Sequence, residues 1–200
     1  MIRIFYVDAF TKELFKGNPA AVCILEEWLD DDALQSIAFE NNLSETAFIN
    51  LRENPLQIRW FTPTLEVELC GHATLATARI LFDEYFPNET KISFQSKSGE
   101  LVALQKDDMI NLDFPIDHPT VIELEPLIRE SLKCEPVEIL KGRSDYLAIM
   151  ASEKDIKNLK PDFSLMAKLN SRGLVVSAES SEVDFISRCF ILKQALMKIQ

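Results

Sequence analysis

From Gly71 to Phe86 the chain carries Ala73, Leu75, Ala76, Ala78, Ile80, Leu81 and Phe82, with very little polar surface at the start of the run. A helical repeat that is apolar nearly all round leaves no face for water. The segment therefore predicts a central helix enclosed by other structure. What surrounds it reads mainly as strands: residues 2–8 and 21–25 on either side of a Gly17-Asn18-Pro19 turn, then 44–51 and 56–62 as an antiparallel pair joined at Glu53-Asn54-Pro55. Strands follow near 90–95, 99–105 and 108–114, with a hairpin turn at Lys97-Ser98-Gly99. Asp30 to Asn41 is predicted as an amphipathic helix, with Asp30, Asp31 and Asp32 at its positive end and Leu34, Ile37 and Ala38 on its apolar face.

Phe114-Pro115-Ile116-Asp117-His118-Pro119 interrupts this pattern, since closely spaced prolines continue neither a sheet nor a helix. A domain boundary is expected there, giving a first domain over 1–116 and a second over 117–200. In the second, Val121 to Leu132 reads as a helix, 136–140 and 145–151 as strands, 153–159 and 162–169 as short helices, and 173–178 and 183–190 as strands. Several short strands with few helices and no regular βαβ alternation make an α+β fold class.

A formal charge of -11 over 200 residues, with Lys and Arg scattered, argues against binding to nucleic acid or to an anionic membrane. The N-terminus, Met1-Ile2-Arg3-Ile4-Phe5-Tyr6-Val7-Asp8, reads as a strand rather than a secretory leader, and no apolar run approaches a membrane span of roughly 20 residues. The expected location is cytoplasmic. Cys23, Cys70, Cys134 and Cys189 are far apart, without CxxC spacing, and read as reduced, mostly buried thiols; no metal site is expected.

Four residues are candidates for chemistry. Glu45 lies in the uncharged run Asn42-Leu43-Ser44-Glu45-Thr46-Ala47-Phe48. It is either an exposed edge-strand carboxylate or a partly buried acid whose pKa is raised into a useful range. His72, at the mouth of the central helix, is either a capping or packing residue or a proton-transfer group. Gly71 beside it would let a ligand approach free N–H groups at the helix start, which suit a carboxylate or oxyanion. Asn18 is explained equally by turn chemistry and by an amide that binds substrate. A Cys70–His72 nucleophilic pair is disfavoured, because residues two apart on a strand-to-helix turn meet only with particular geometry.

Five ordered motifs give the chain a family resemblance: Val7-Asp8-Ala9-Phe10-Thr11, Phe15-Lys16-Gly17-Asn18-Pro19-Ala20-Ala21-Val22, Leu43-Ser44-Glu45-Thr46-Ala47-Phe48, Arg59-Trp60-Phe61-Thr62-Pro63 and Cys70-Gly71-His72-Ala73-Thr74. It resembles the PhzF-like isomerases of phenazine biosynthesis, within the diaminopimelate epimerase superfamily. The resemblance implies two similar domains, each a curled mixed sheet around a central helix. It implies acid/base proton transfer between carbon atoms of a small cyclic amino acid or carboxylate in a biosynthetic process, without metal or organic cofactor. Glu45 matches the family's acid/base glutamate, and Gly71 and His72 match its glycine–histidine pair. The expected partner is a small-molecule substrate, and a homodimer is compatible with the resemblance.

The resemblance also marks a departure. After a strand like 184–190, family members carry Ala-Gly-Ile-x-Glu-Asp-Pro-Val-Thr-Gly-Ser-Ala, which opens the second central helix and supplies an aspartate. Here residues 193–200 read Lys-Gln-Ala-Leu-Met-Lys-Ile-Gln. One codon choice for those residues plus a stop reads Ala-Gly-Ile-Asn-Glu-Asp-Pro-Val in another frame. The expectation is an incomplete second domain with an out-of-frame tail over 191–200, and the alternative to an active isomerase is an inactive remnant or a fragment dependent on a partner.

Overall fold

A computed structural model describes residues 2–191. The chain divides into two compact units, Met1–Pro115 and Ile116–Gln200. Residues 192–200, the bulk of the expected out-of-frame tail, lie outside the described residues.

The first unit is built from β1 (Arg3–Ala9), β2 (Asn18–Leu25), α1 (Asp31–Asn41), β3 (Glu45–Asn50), β4 (Leu56–Phe61), β5 (Glu66–Val67), α2 (Gly71–Ile80), β6 (Lys91–Ser96), β7 (Gly99–Lys106) and β8 (Met109–Asp113). The strands form one mixed sheet in the order β1-β2-β3-β4-β6-β7-β8, with β5 paired to β4. α2 packs against β1, β2, β3 and β8. Because β1 and β8 are opposite ends of the sheet, contact with both means that the sheet curls around the helix.

The alternation of strand side chains decides which residues face α2. Ala20, Val22 and Ile24 of β2 and Ala47 and Ile49 of β3 join Ala73, Ala76, Ala78, Leu81 and Phe82 in one core. The intervening Cys23, Leu25 and Phe48 point the other way and meet Leu34 and Ala38 of α1 in a second core. Asp30 caps α1 by accepting from the Ala33 amide at 2.7 Å, and Asn42 ends it in the left-handed region at φ 50°.

The enclosed helix expected from Gly71 onward is present, as α2 followed by a π-helical turn over Leu81–Tyr85. Even its polar residues Thr74 and Thr77 are fully buried, which they tolerate by donating their hydroxyls to the carbonyls of Cys70 and Ala73. Asn18 and Pro19, read as a turn, instead open β2 opposite Ala9 and Asp8. Pro19 is accepted at the start of a strand, where its missing N–H costs little.

The second unit contains β9 (Thr120–Ile122), α3 (Pro126–Leu132), β10 (Glu138–Lys141), β11 (Asp145–Ile149), α4 (Glu153–Asn158), α5 (Phe163–Met166), β12 (Gly173–Glu179) and β13 (Phe185–Ile191). Its sheet runs β13-β12-β11-β10-β9. Ile139, Tyr146, Ala148, Leu174, Val176 and Phe190 on one face build a core with Ile128, Leu132, Ile156 and Met166 of the short helices. Val121, Leu140, Leu147, Val175 and Cys189 align in register across the other face, outside that core.

The helix expected over Val121–Leu132 is corrected here. Thr120–Ile122 is a strand paired with β10, and the helix begins only at Pro126. β-Branched residues favour the pleated ladder, and a proline suits the first position of a helix, where its missing N–H is unused.

Candidate active site

Glu45 opens β3, an interior strand bonded to β2 in parallel and to β4 antiparallel. The exposed edge-strand reading of this residue is thus excluded. Strand alternation places its side chain on the face of Ala47 and Ile49, toward α2, and only 17% of that side chain is exposed. Burial raises the carboxyl above its ordinary value, and the thiol of Cys70 partly counteracts this by hydrogen bonding to it.

His72 occupies the second position of α2 and is 91% buried in its side chain, given a 9% exposure. Its Nε2 lies 3.5 Å from Glu45 Oε2. That is ion-pair range but too long for a hydrogen bond, and Nε2 has no hydrogen-bond partner among the described residues. Burial depresses the imidazole pKa, against a smaller opposing effect of the Pro19 backbone. A neutral ring therefore faces a carboxyl that is itself reluctant to ionise.

Cys70 completes the cluster. It is the N-cap of α2 in an extended conformation (φ -145°, ψ 115°) and makes no side-chain cap. That geometry turns its Sγ to within 3.5 Å of His72 Nδ1, so the contact disfavoured by spacing alone does form. As a nucleophile it remains poorly placed: burial, then the Glu45 charge, push its thiol up to about 12, and the Ala73 and His72 amides offset this only in part.

The donor atoms of Glu45, Cys70 and His72 all lie within 4.8 Å of one another. Such a trio resembles a metal cradle in composition. Here, however, burial holds the thiol protonated and it contacts His72 Nδ1 at 3.5 Å, so the arrangement fits shared protons better than a cation.

Gly71 is the first residue of α2. A Cβ built there would meet only Phe114 Cε2, at an ordinary 3.5 Å, so packing does not demand glycine. Its lack of a side chain would instead let a ligand come close to the first turn of the helix. Gly17 is the opposite case, because a Cβ there would stand 2.4 Å from the Ala9 carbonyl oxygen.

The loop between β1 and β2 explains the early motifs. Phe10 and Phe15 take positive φ (66° and 65°), and the Asp8 carboxylate accepts from the Phe15 amide at 2.8 Å. This loop delivers Asn18, two residues before Ala20, whose register partner is Glu45. Alternation then sets Asn18 on the same sheet face as Glu45. Sequence reasoning weighs Cys70 only as a nucleophile and disfavours it; its position immediately before Gly71-His72 is the signal for its place in the cluster.

The family profile described as phenazine biosynthesis-like protein, PhzC–PhzF, matches residues 7–194. The chain belongs to the PhzC–PhzF family. An uncharacterized isomerase of Halalkalibacterium halodurans is 46% identical over 191 residues, which are 94% of this chain and 72% of that relative. The crystal structure of a PhzF family protein from Enterococcus faecalis superimposes with a TM-score of 0.87 at 43% identity, covering 96% of this chain and 74% of the other. A probable proline racemase from Agrobacterium radiobacter shares the fold alone, with a TM-score of 0.63 at 9% identity over 96% of this chain and 71% of that one. PhzC–PhzF membership makes the chain an isomerase with an epimerase-like α+β fold. Among the described residues, no helix is long and apolar enough to cross a membrane.

Proposed function

We propose that this PhzC–PhzF isomerase moves a proton between carbon atoms of a small cyclic amino acid or carboxylate, using Glu45 as a single acid and base. The observation that carries the reading is the buried Glu45 carboxyl, raised by desolvation and set 3.5 Å from a neutral His72. A carboxyl whose pKa lies closer to working pH can take a proton from one carbon and return it to another without a second acid. The open amides at Gly71 and the start of α2 would hold the negative charge of the substrate, which keeps its acidic C–H bond facing Glu45. His72 and Asn18 would bind and orient substrate polar groups from α2 and β2, and the chemistry requires neither metal nor organic cofactor. A biosynthetic role follows from the same family reading.

Deuterium wash-in from D2O into a panel of cyclic amino acids and cyclic carboxylates tests this directly. Exchange at carbon by the unaltered chain, lost in Glu45→Gln, is the expected result. Exchange that persists in Glu45→Gln removes Glu45 from the role.

A further inference from the structure

We propose that Cys70 is a positioning residue for Glu45: its thiol donates the S–H to the Glu45 carboxylate and holds that carboxyl beside His72 Nε2. The inference rests on the acid/base reading of Glu45 and adds a residue to it. Three observations carry it. The Glu45, Cys70 and His72 heteroatoms lie within 4.8 Å of one another. The sulfur also contacts His72 Nδ1 at 3.5 Å, so it is held against the imidazole that faces Glu45. Finally, the residue is buried at 7% exposure on the rigid first turn of α2, where its backbone carbonyl is taken by the Thr74 amide and hydroxyl.

Direction of the bond follows from the acceptors available. A thiol has one proton to give, and an ionised carboxylate is a stronger acceptor than a neutral imidazole nitrogen. Because burial keeps the thiol protonated, with its pKa pushed up to about 12, the donor is present at every working pH. Among the described residues, the His, Cys and acidic groups that cluster here are Glu45, Cys70 and His72. Ala20 of β2 and Phe61 of β4 flank the start of β3, and α1 packs on the opposite face. From α2 itself the facing groups are Cys70 and His72.

When the carboxylate is ionised, the S–H stabilises it. When it has accepted a proton that bond weakens, and His72 Nε2 lies 3.5 Å from Oε2, beyond hydrogen-bond distance. The thiol thereby favours the base form of Glu45, opposing the burial that favours the acid form. A packing residue of the same volume would leave the carboxyl's titration untouched.

The test reads the carboxyl itself and needs no substrate. The full chain is labelled with 13C at glutamate side-chain carboxyls, the Glu45 signal is assigned by its loss in Glu45→Gln, and it is titrated in the unaltered chain, Cys70→Ala and Cys70→Ser. An upward shift of the Glu45 midpoint in Cys70→Ala, largely reversed by the hydroxyl donor of Cys70→Ser, is expected. Identical midpoints in all three overturn the proposal. Should Cys70→Ala fail to fold, the Raman S–H stretching band of the unaltered chain decides: a Cys70 band that moves as Glu45 titrates supports donation, and one that stays fixed overturns it. Failure here leaves the deuterium result for Glu45→Gln standing, so the two readings are separable.

Discussion

His72 Nε2 lies 3.5 Å from Glu45 Oε2, with 9% and 17% of the two side chains exposed. A helix start and a strand start, 27 positions apart in the chain, bring a carboxyl and an imidazole together in a largely buried setting. Burial pushes the carboxyl up and the imidazole down, which narrows the gap between their affinities for a proton.

The first prediction concerns catalysis. Glu45→Gln keeps the shape and polarity of the side chain but removes the exchangeable proton. Exchange of substrate C–H for deuterium is expected to fall by roughly 10²- to 10⁴-fold, the usual share of a general acid/base. Measurement by NMR alongside a circular dichroism check of folding separates chemistry from collapse.

A second prediction follows from the sign of the Glu45 shift. Its folded pKa lies above the ordinary glutamate value of 4.5, so the folded state binds the proton more tightly than the unfolded chain does. Its contribution to stability is fully present below 4.5 and is lost as pH rises through the folded pKa. Glu45→Gln, which carries no charge to bury, is therefore expected to melt higher than the unaltered chain at pH 7. The advantage should shrink as pH drops below about 4.5. An equal difference at both ends of the pH range would contradict it.

Gly71 and Gly17 should respond oppositely to alanine. At Gly71 the new methyl has room, at 3.5 Å from Phe114 Cε2, so stability is expected to stay within about 1 kcal/mol while exchange activity falls because the helix amides are obstructed. At Gly17 the methyl would stand 2.4 Å from the Ala9 carbonyl oxygen, and a loss on the order of 1–3 kcal/mol is expected from the forced backbone shift. Urea titrations of both variants, with exchange assays on Gly71→Ala, check this.

Arg59 provides a structural control away from the cluster. Its Nε and Nη2 donate to Glu66 at 2.8 and 2.9 Å, Nη2 also pairs with Asp31 at 2.9 Å, and the guanidinium stacks over Trp28 and Phe61. The Arg59 hydrogen bond holds Glu66 below its ordinary pKa, so this stabilisation is present above 4.5 and lost as pH falls through the folded value. Arg59→Lys cannot reproduce the two-pronged contact and is expected to cost about 1.5–3 kcal/mol at pH 7. The deficit should narrow in acid; thermal melts at several pH values measure it.

Much of this protein is legible along the chain because it depends on local rules. The apolar run from Gly71 needs no partner to declare itself a buried helix, and Asp30 as the cap with Asp31 and Asp32 in the first turn marks the start of α1. The family motifs name Glu45, Gly71 and His72 by their order. Local rules fail at Val121, where an apolar stretch is equally a helix or a strand until β10 offers its edge. They fail again at Asn18-Pro19, where turn-forming residues are captured by the β1 ladder.

What sequence could not settle is whether Glu45 is wet or dry, and whether Cys70 reaches His72. The first depends on β3 lying inside the sheet, with β2 on one side and β4 on the other, a pairing made between residues distant in the chain. The second depends on one backbone conformation, the extended N-cap that turns Sγ toward the imidazole. Residue types and order specify the groups that can carry a proton. Their pKa values and mutual distances arise only when the curled sheet closes on α2 and buries them together.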